Sequence, residues 1–353
     1  MTAPVGPGQD RRPLAWLTPA ELTARTTAAG GQAFQARQIE QWIWRHAALD
    51  YADLRNLPRA LRERLAATAP VTSTRVAQVD TAGDGTEKLL LRLDDGRTVE
   101  LVLIPEGDRT TLCVSTQVGC PVACVFCASG LFGVERNLTA GEIVEQVLHA
   151  RRRLPPGREL TNLVVMGMGE PMLNLPQLLP ALERLCSAEG MGFSPRRVTV
   201  STSGYPERIA EFAAAGRPYN LAISLHAADD RVRKELVPTA RATVAELVAA
   251  AQRYFQTTGR EVTFECVLLR GRNDRPEDAQ ALVHALAGFP CTINLIPWNE
   301  VAEMPDLAPP SAIEADAFAA RLRRAGLKVT LRRRRGADRS AACGQLRVRE
   351  LQG

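Results

Sequence analysis

From residue 112 to residue 296 the chain alternates short apolar runs with longer amphipathic ones. The runs LCVST (112–116), NLVVM (162–166), VTVST (198–202), NLAISL (220–225), VTFECVLL (262–269) and TINLI (292–296) have the length and β-branched content of buried strands. Between them, AGEIVEQVLHARR, LPQLLPALERLC and VAELVAAAQRYF space their apolar residues three and four apart, as amphipathic helices do. Strands alternating with helices predict an α/β fold of parallel βαβ units. Six such units suit a sheet curled into a partial (β/α)6 barrel better than a closed eight-fold one. A last strand, KVTLRR (328–333), leads into a tail.

The pattern before residue 112 is different. Residues 1–17 are rich in Pro and Gly and predict a loose tail. Residues 18–68 read as helical: Thr18 can cap a helix with Pro19 at its first position, and ARQIEQWIWRHA puts Ile39, Trp42, Ile43 and His46 on one face. In PRALRERLAAT, Leu61 and Leu65 share a face opposite Arg59, Arg62 and Arg64, which suit a solvated surface and RNA phosphate contact equally. Residues 74–104 switch to strands (RVAQVD, EKLLLRL, TVELVLI) turned at Asp84-Gly85 and Asp95-Gly96. The expected organisation is a tail (1–17), a helical accessory domain (18–70), a small β element (71–110), the partial barrel (111–335) and a C-terminal tail (336–353).

Composition narrows the setting. Of 353 residues, 45% are hydrophobic and 24% charged, as in globular proteins, with aliphatic side chains filling the core because aromatics are 5%. The net charge of +5 leans mildly toward nucleic acid. MTAPVGPGQDRRPLAW has no apolar run after its charges, and no stretch approaches about 18 continuous apolar residues, so a cytoplasmic protein without a membrane partner is expected. In a reducing compartment, clustered cysteines favour metal or catalytic roles over structural disulfides.

Four of the eight cysteines lie between Cys113 and Cys127. Cys120, Cys124 and Cys127 form C-x3-C-x2-C just after the first barrel strand, the strand end where β/α-barrel active sites collect. A structural zinc site wants four ligands, and the nearest histidine, His149, falls on a helix. Three thiolates with an open position suit an iron–sulfur cube better. Later strand ends carry Gly167–Pro171 with Glu170, Ser201-Thr202-Ser203-Gly204, Ser224-Leu225-His226-Ala227 and Pro297-Trp298-Asn299. A ligand touching several of these would lie across the barrel mouth. Glu170 could instead be an ordinary turn carboxylate, and His226 a satisfied core histidine. Cys186, Cys266 and Cys291 read as small core hydrophobes, and Met166 and Met168 as packing residues. The run Arg332 to Arg335, just before the tail, favours RNA phosphate.

Through C-x3-C-x2-C and GMGEP the chain resembles the radical S-adenosylmethionine (SAM) superfamily. More narrowly, it resembles the RlmN-type adenine-C2 RNA methyltransferases. RQIEQWIW, VELVLIPEGDRTTLCVSTQVGC, GMGEPMLNL, RRVTVSTSG, LAISLHA, INLIPWNE and AACGQL carry the likeness in order from about residue 34 to 346. The resemblance implies a [4Fe–4S] cluster on Cys120, Cys124 and Cys127, and SAM held by Gly169, Glu170, Ser201, Ser224, Leu225, His226 and Asn299. It also implies that Cys343 is methylated, that Cys113 resolves it, and that Glu100 accepts a proton. The resemblance further implies two SAM per turnover, adenine 2503 of 23S rRNA and adenine 37 of some tRNAs as targets, and a monomer served by flavodoxin or ferredoxin. GADRS stands where relatives more often carry an acidic–apolar–acidic run, and only seven residues follow Leu346, where many relatives continue in a basic tail.

Three alternatives remain open at this level. The sister specificity, adenine C8, shares the cysteine set. A non-catalytic zinc or iron–sulfur RNA-binding module would need neither Cys113 nor Cys343. A radical SAM enzyme with a small-molecule or peptide substrate would need no methyl-carrying thiol.

Overall fold

The computed structural model describes residues 10–332 and 344–346. Three helices come first. Thr18 and Glu21 form a reciprocal capping box that starts α1 (Pro19–Ala28). Next come α2 (Ala33–His46) and α3 (Arg59–Ala66), the latter burying Leu61 and Leu65 as expected.

In α2 the buried stripe is Ala36, Ile39, Ile43 and Trp44; the expected stripe through Trp42 and His46 is displaced toward Trp44. The cause lies across the interface. Arg184 stacks over the Trp44 ring at 4.8 Å, and Arg151 donates to the Trp44 carbonyl, so the barrel covers that side. His46 is exposed and rests against half-buried Trp42. In α3, Arg62 and Arg64 donate to the carbonyls of Tyr51 and Ala29, and Arg59 pairs with Glu63.

The small β element forms as an antiparallel meander of β1 (Arg75–Thr81), β2 (Glu87–Arg92) and β3 (Thr98–Glu106). It does not stand apart: β3 pairs antiparallel with β4 (Arg109–Cys113), so the meander continues the barrel sheet. The first barrel strand thus ends at Cys113, not at residue 116. Beyond it, β5 (Gln117–Gly119) and β6 (Val134–Asn137) pair as a clasp around the cysteine loop. A three-residue strand offers no periodicity to read.

The barrel proper follows as α4 (Ala140–Arg153), β7 (Asn162–Val165), α5 (Leu175–Cys186), β8 (Val198–Thr202), α6 (Pro206–Ala214) and β9 (Asn220–Ser224). After these come α7 (Asp230–Leu236), α8 (Val244–Thr258), β10 (Val262–Leu268), α9 (Pro276–Leu286), β11 (Cys291–Pro297), α10 (Ala312–Arg324) and β12 (Lys328–Leu331). One ten-stranded sheet runs in the order β1-β2-β3-β4-β7-β8-β9-β10-β11-β12. Within this sheet every pair from β4 onward is parallel, and the last strand expected at 328–333 forms as β12 and joins as the seventh parallel strand. The order is open at β1 and β12, and parallel pairing puts the strands' carboxyl ends on one side. Cys266, Cys291 and Met168 are buried and Cys186 is half-buried, all within the core.

A buried carboxylate also ties the N-terminal region to the barrel. Glu145 on α4 accepts from Trp16 Nε1 at 2.6 Å, from the Ser73 and Thr74 amides at 2.9 and 2.7 Å, and from Thr74 Oγ1 at 2.6 Å. Trp16 lies flat on Gly141, where any Cβ would come within 2.0 Å of its ring. Glu145→Ala would leave these donors buried without an acceptor, and is expected to cost about 3 kcal/mol in urea unfolding. Glu145→Gln, which keeps an acceptor, is expected to cost less than half as much.

Candidate active site

The carboxyl ends of the parallel strands open on one cavity. Cys113 reaches it from β4, Gly169 and Glu170 from beyond β7, and Ser201 from β8. Ser224 enters from β9, His226 from just beyond it, and Asn299 from beyond β11. Ser201 and Ser224 bring their hydroxyls to 3.4 Å of each other. Two expected residues do not line the cavity. Leu225 is fully buried in the core, and Glu100 is buried with Lys88 Nζ at 3.3 Å. Glu100 nevertheless shares a face of β3 with Val102, whose partner across the ladder is Cys113.

Cys120, Cys124 and Cys127 line the same cavity from a loop that other elements hold. Cys120 N donates to Gly133 O at 2.8 Å, Val125 N to Leu236 O at 3.1 Å, and Thr239 Oγ1 to Val122 O at 2.5 Å. Trp298 Nε1 donates to Phe126 O at 2.8 Å. Among the described residues, no three His, Cys, Asp or Glu side chains are gathered around a single-ion position. Three thiols suit a four-iron cluster with one iron left open better than a structural zinc, which takes four protein ligands. Burial pushes the Cys120 thiol up to about 12 and raises Cys124 and Cys127 as well. A bound metal would deprotonate them. The amides of Val122 and Gly169 bond to the Cys120 sulfur, and those of Ser129 and Gly130 to Cys127.

The loop after β7 is braced by residues just past Cys113 that the sequence reading passed over. Ser115 Oγ donates to Glu100 O at 2.6 Å and accepts from Met168 N at 2.8 Å. Gln117 Oε1 accepts from Glu170 N at 2.7 Å. Gly169 has φ +104°, and a Cβ there would meet Gln117 Cβ at 2.7 Å, so glycine alone fits. Glu170 is buried, which raises its pKa. Its Oε2 accepts from Ser203 N and Oγ, each at 2.8 Å, and its Oε1 from Met172 N at 3.0 Å. Its carboxylate therefore orders two loops at the cavity as well as lining it.

His226 sits at φ +61°, a region non-glycine residues rarely adopt. Buried Asn273 holds it there: Nδ2 donates to His226 O and Val267 O, both at 2.7 Å, and Oδ1 accepts from Leu269 N at 2.8 Å. His226 Nδ1 accepts from Val267 N at 3.2 Å, which puts the neutral ring's proton on Nε2. Burial depresses its pKa to about 3. Glu265 was also missed. It lines the cavity from β10, buried and bonded to Asn294 Nδ2 at 3.1 Å. Its place inside the strand VTFECVLL, an acid among apolar residues, was the available signal.

Cys343 and Arg333 to Arg335 lie outside the described residues. Arg332 lines the cavity. So do Gly344 and Leu346, and residues 344–346 are tied to the cysteine loop and its surroundings. Ala128 N donates to Gly344 O at 2.8 Å, Ser129 Oγ to Leu346 O at 2.6 Å, and Gln345 Nε2 to Glu300 O at 2.7 Å.

Family models add two matches: the radical SAM superfamily over residues 114–283 and the ribosomal RNA large subunit methyltransferase N-terminal domain over 14–71. A probable dual-specificity RNA methyltransferase RlmN from Rhodopirellula baltica is 49% identical, covering 90% of this chain and 86% of its own. A dual-specificity RNA methyltransferase RlmN from Marinobacter nauticus is 42% identical over 93% of this chain and 90% of its own. The chain belongs to the RlmN dual-specificity RNA methyltransferases of the radical SAM superfamily. A solved radical SAM methyltransferase from Sphaerobacter thermophilus superposes with a TM-score of 0.91 at 46% identity, over 95% of this chain and 99% of that one. Membership of the superfamily implies a [4Fe–4S] cluster and SAM, and the three-thiol wall with its open cavity fits both. No described helix is long and apolar enough to cross a membrane.

Cys124→Ala is expected to abolish the visible absorbance and most of the bound iron of the reconstituted protein, while its far-ultraviolet circular dichroism stays that of wild type. His226 gives a pH prediction. A folded pKa depressed to about 3 from 6.5 means that its contribution is complete above pH 6.5 and lost as pH falls toward 3. Urea unfolding should therefore show wild type losing stability faster than His226→Gln as pH drops below 6.5.

Proposed function

We propose that this chain methylates C2 of adenine 2503 in 23S rRNA and of adenine 37 in some tRNAs, through a methylated Cys343 and a transient protein–RNA crosslink. The observation that carries this reading is the docking of residues 344–346 on the cysteine loop. It puts Gly344, the neighbour of Cys343, on the cavity that Cys113, Cys120, Cys124 and Cys127 share.

The chemistry explains why two thiols are needed beyond the three on the loop. C2 of adenine is electrophilic and cannot attack the methyl group of SAM. Cys343 takes the methyl group from a first SAM. When bound, the cluster supplies the electron that cleaves a second SAM to the 5′-deoxyadenosyl radical. That radical would take a hydrogen from the S-methyl group of Cys343 and leave as 5′-deoxyadenosine, so that the methylene carbon adds to C2, and the adduct's unpaired electron would return to the oxidised cluster. Glu100, buried with Lys88 Nζ at 3.3 Å, takes the C2 proton. Cys113 then attacks the Cys343 sulfur, frees the product and leaves a disulfide for reduction.

Gly169, Glu170, Ser201, Ser224, His226 and Asn299 hold SAM, with Leu225 shaping the loop from the core. Residues 18–70 and the arginines from Arg332 onward face the RNA. The protein acts as a cytoplasmic monomer with flavodoxin or ferredoxin as electron donor, and residues 336–353 serve as the catalytic tail.

Anaerobic turnover with RNA, SAM and a reductant, followed by nucleoside analysis, tests the reading. 2-Methyladenosine is expected, with two SAM consumed per product; 8-methyladenosine alone would overturn it. Cys343→Ala should yield no methyladenosine, and Cys113→Ala should accumulate a covalent protein–RNA adduct on denaturing gels.

A further inference from the structure

Arg233 is 2% exposed, among the most deeply buried of the large side chains. It lies on α7, the helix packed behind the cysteine loop. The carbonyl of Leu236, one turn along from Arg233, accepts from Val125 N. Val232 and Leu236 share an apolar cluster with Val122 and Phe126, against which the three loop cysteines pack. The guanidinium is anchored to backbone. Nη2 donates to Ser203 O at 2.5 Å and Nη1 to Ala242 O at 3.2 Å, while Nε has no hydrogen-bond partner among the described residues.

Among the described residues no carboxylate forms an ion pair with this buried cation; a charge on the Cys124 sulfur and, after it, Asp230 on the same helix favour its charged form. A buried charge persists only against a counter-charge, and nothing in the RNA-modifying chemistry assigned above uses Arg233. We infer that Arg233 is the internal counter-cation of the three-cysteine site and raises the reduction potential of the cluster bound there. The inference rests on the cluster reading.

Electrostatics sets the sign. A [4Fe–4S] core in its 2+ state with three thiolates carries a net charge of −1, and one electron from the reductant makes it −2. A fixed positive charge behind Cys124 stabilises the more negative form. Because the site is buried, the effect is screened little by salt. The same side chain braces Ser203, which bonds Glu170, so hydrogen bonding and charge must be separated experimentally.

The test is an anaerobic, dithionite-driven redox titration of the reconstituted full chain, followed by electron paramagnetic resonance, with iron content measured in parallel. Arg233→Gln keeps hydrogen-bonding groups but removes the charge. Its midpoint is expected to fall by at least a tenfold change in equilibrium constant, about 59 mV for one electron. Arg233→Lys keeps the charge but loses the fork, and should stay within half that shift. A midpoint for Arg233→Gln equal to wild type, or one for Arg233→Lys as low as that of Arg233→Gln, would overturn the inference. If Arg233→Gln loads no iron, Arg233→Met is titrated with the same expectations. A wild-type protein that shows no reducible four-iron signal would instead sink the cluster reading beneath it.

Discussion

A half-buried loop without regular structure survives only if its covered peptide groups find partners, and the cysteine loop makes that requirement govern much of the molecule. Its amides and carbonyls are met by Gly133, Leu236, Thr239, Trp298 and Gly344, which come from separate parts of the chain. Each partner delivers something else to the same place. Leu236 brings α7 and its arginine, Trp298 brings the turn with Asn299, and Gly344 brings the tail. The geometry of the three thiols is thus a property of the assembled barrel, not of fifteen consecutive residues.

Glu170 has the same double character. It lines the cavity, but three hydrogen bonds to Ser203 and Met172 make it a brace between the loops after β7 and β8. Gly169 lets those loops approach Gln117, and Ser115 fastens them to the carbonyl of Glu100. The residues meant to hold a small molecule are therefore positioned by the same contacts that close the fold.

Much of this was legible in the residues. NLAISL reads cleanly because the middle of a parallel strand covered on both faces is continuously apolar, and VTVST because its β-branched residues alternate buried and half-buried. The cysteine spacing and the strand-end loops pointed to one cavity because parallel pairing puts all those ends on one side. What escaped depended on the partner rather than the local pattern. Trp44 is buried because Arg184 and Arg151 reach it from elements more than a hundred residues later. β5 is too short to have a period, and the meander joins the barrel sheet through a pairing of β3 with β4 that alternation cannot announce. Arg233 sits in an ordinary-looking context, and only burial distinguishes it.

The bond from Ser129 to Leu346 closes a loop of 217 residues. Closure entropy grows only as the logarithm of loop length, so halving the loop would save roughly 0.6 kcal/mol. The thermodynamic penalty is small, but the kinetic one is not: contacts so distant in sequence form late in folding. They also rest on few residues, so they belong to the parts of a structure that open locally before the core does. None of the strand pairings of the barrel involves residues 344–346, so the sheet can form before this bond closes over the cysteine loop.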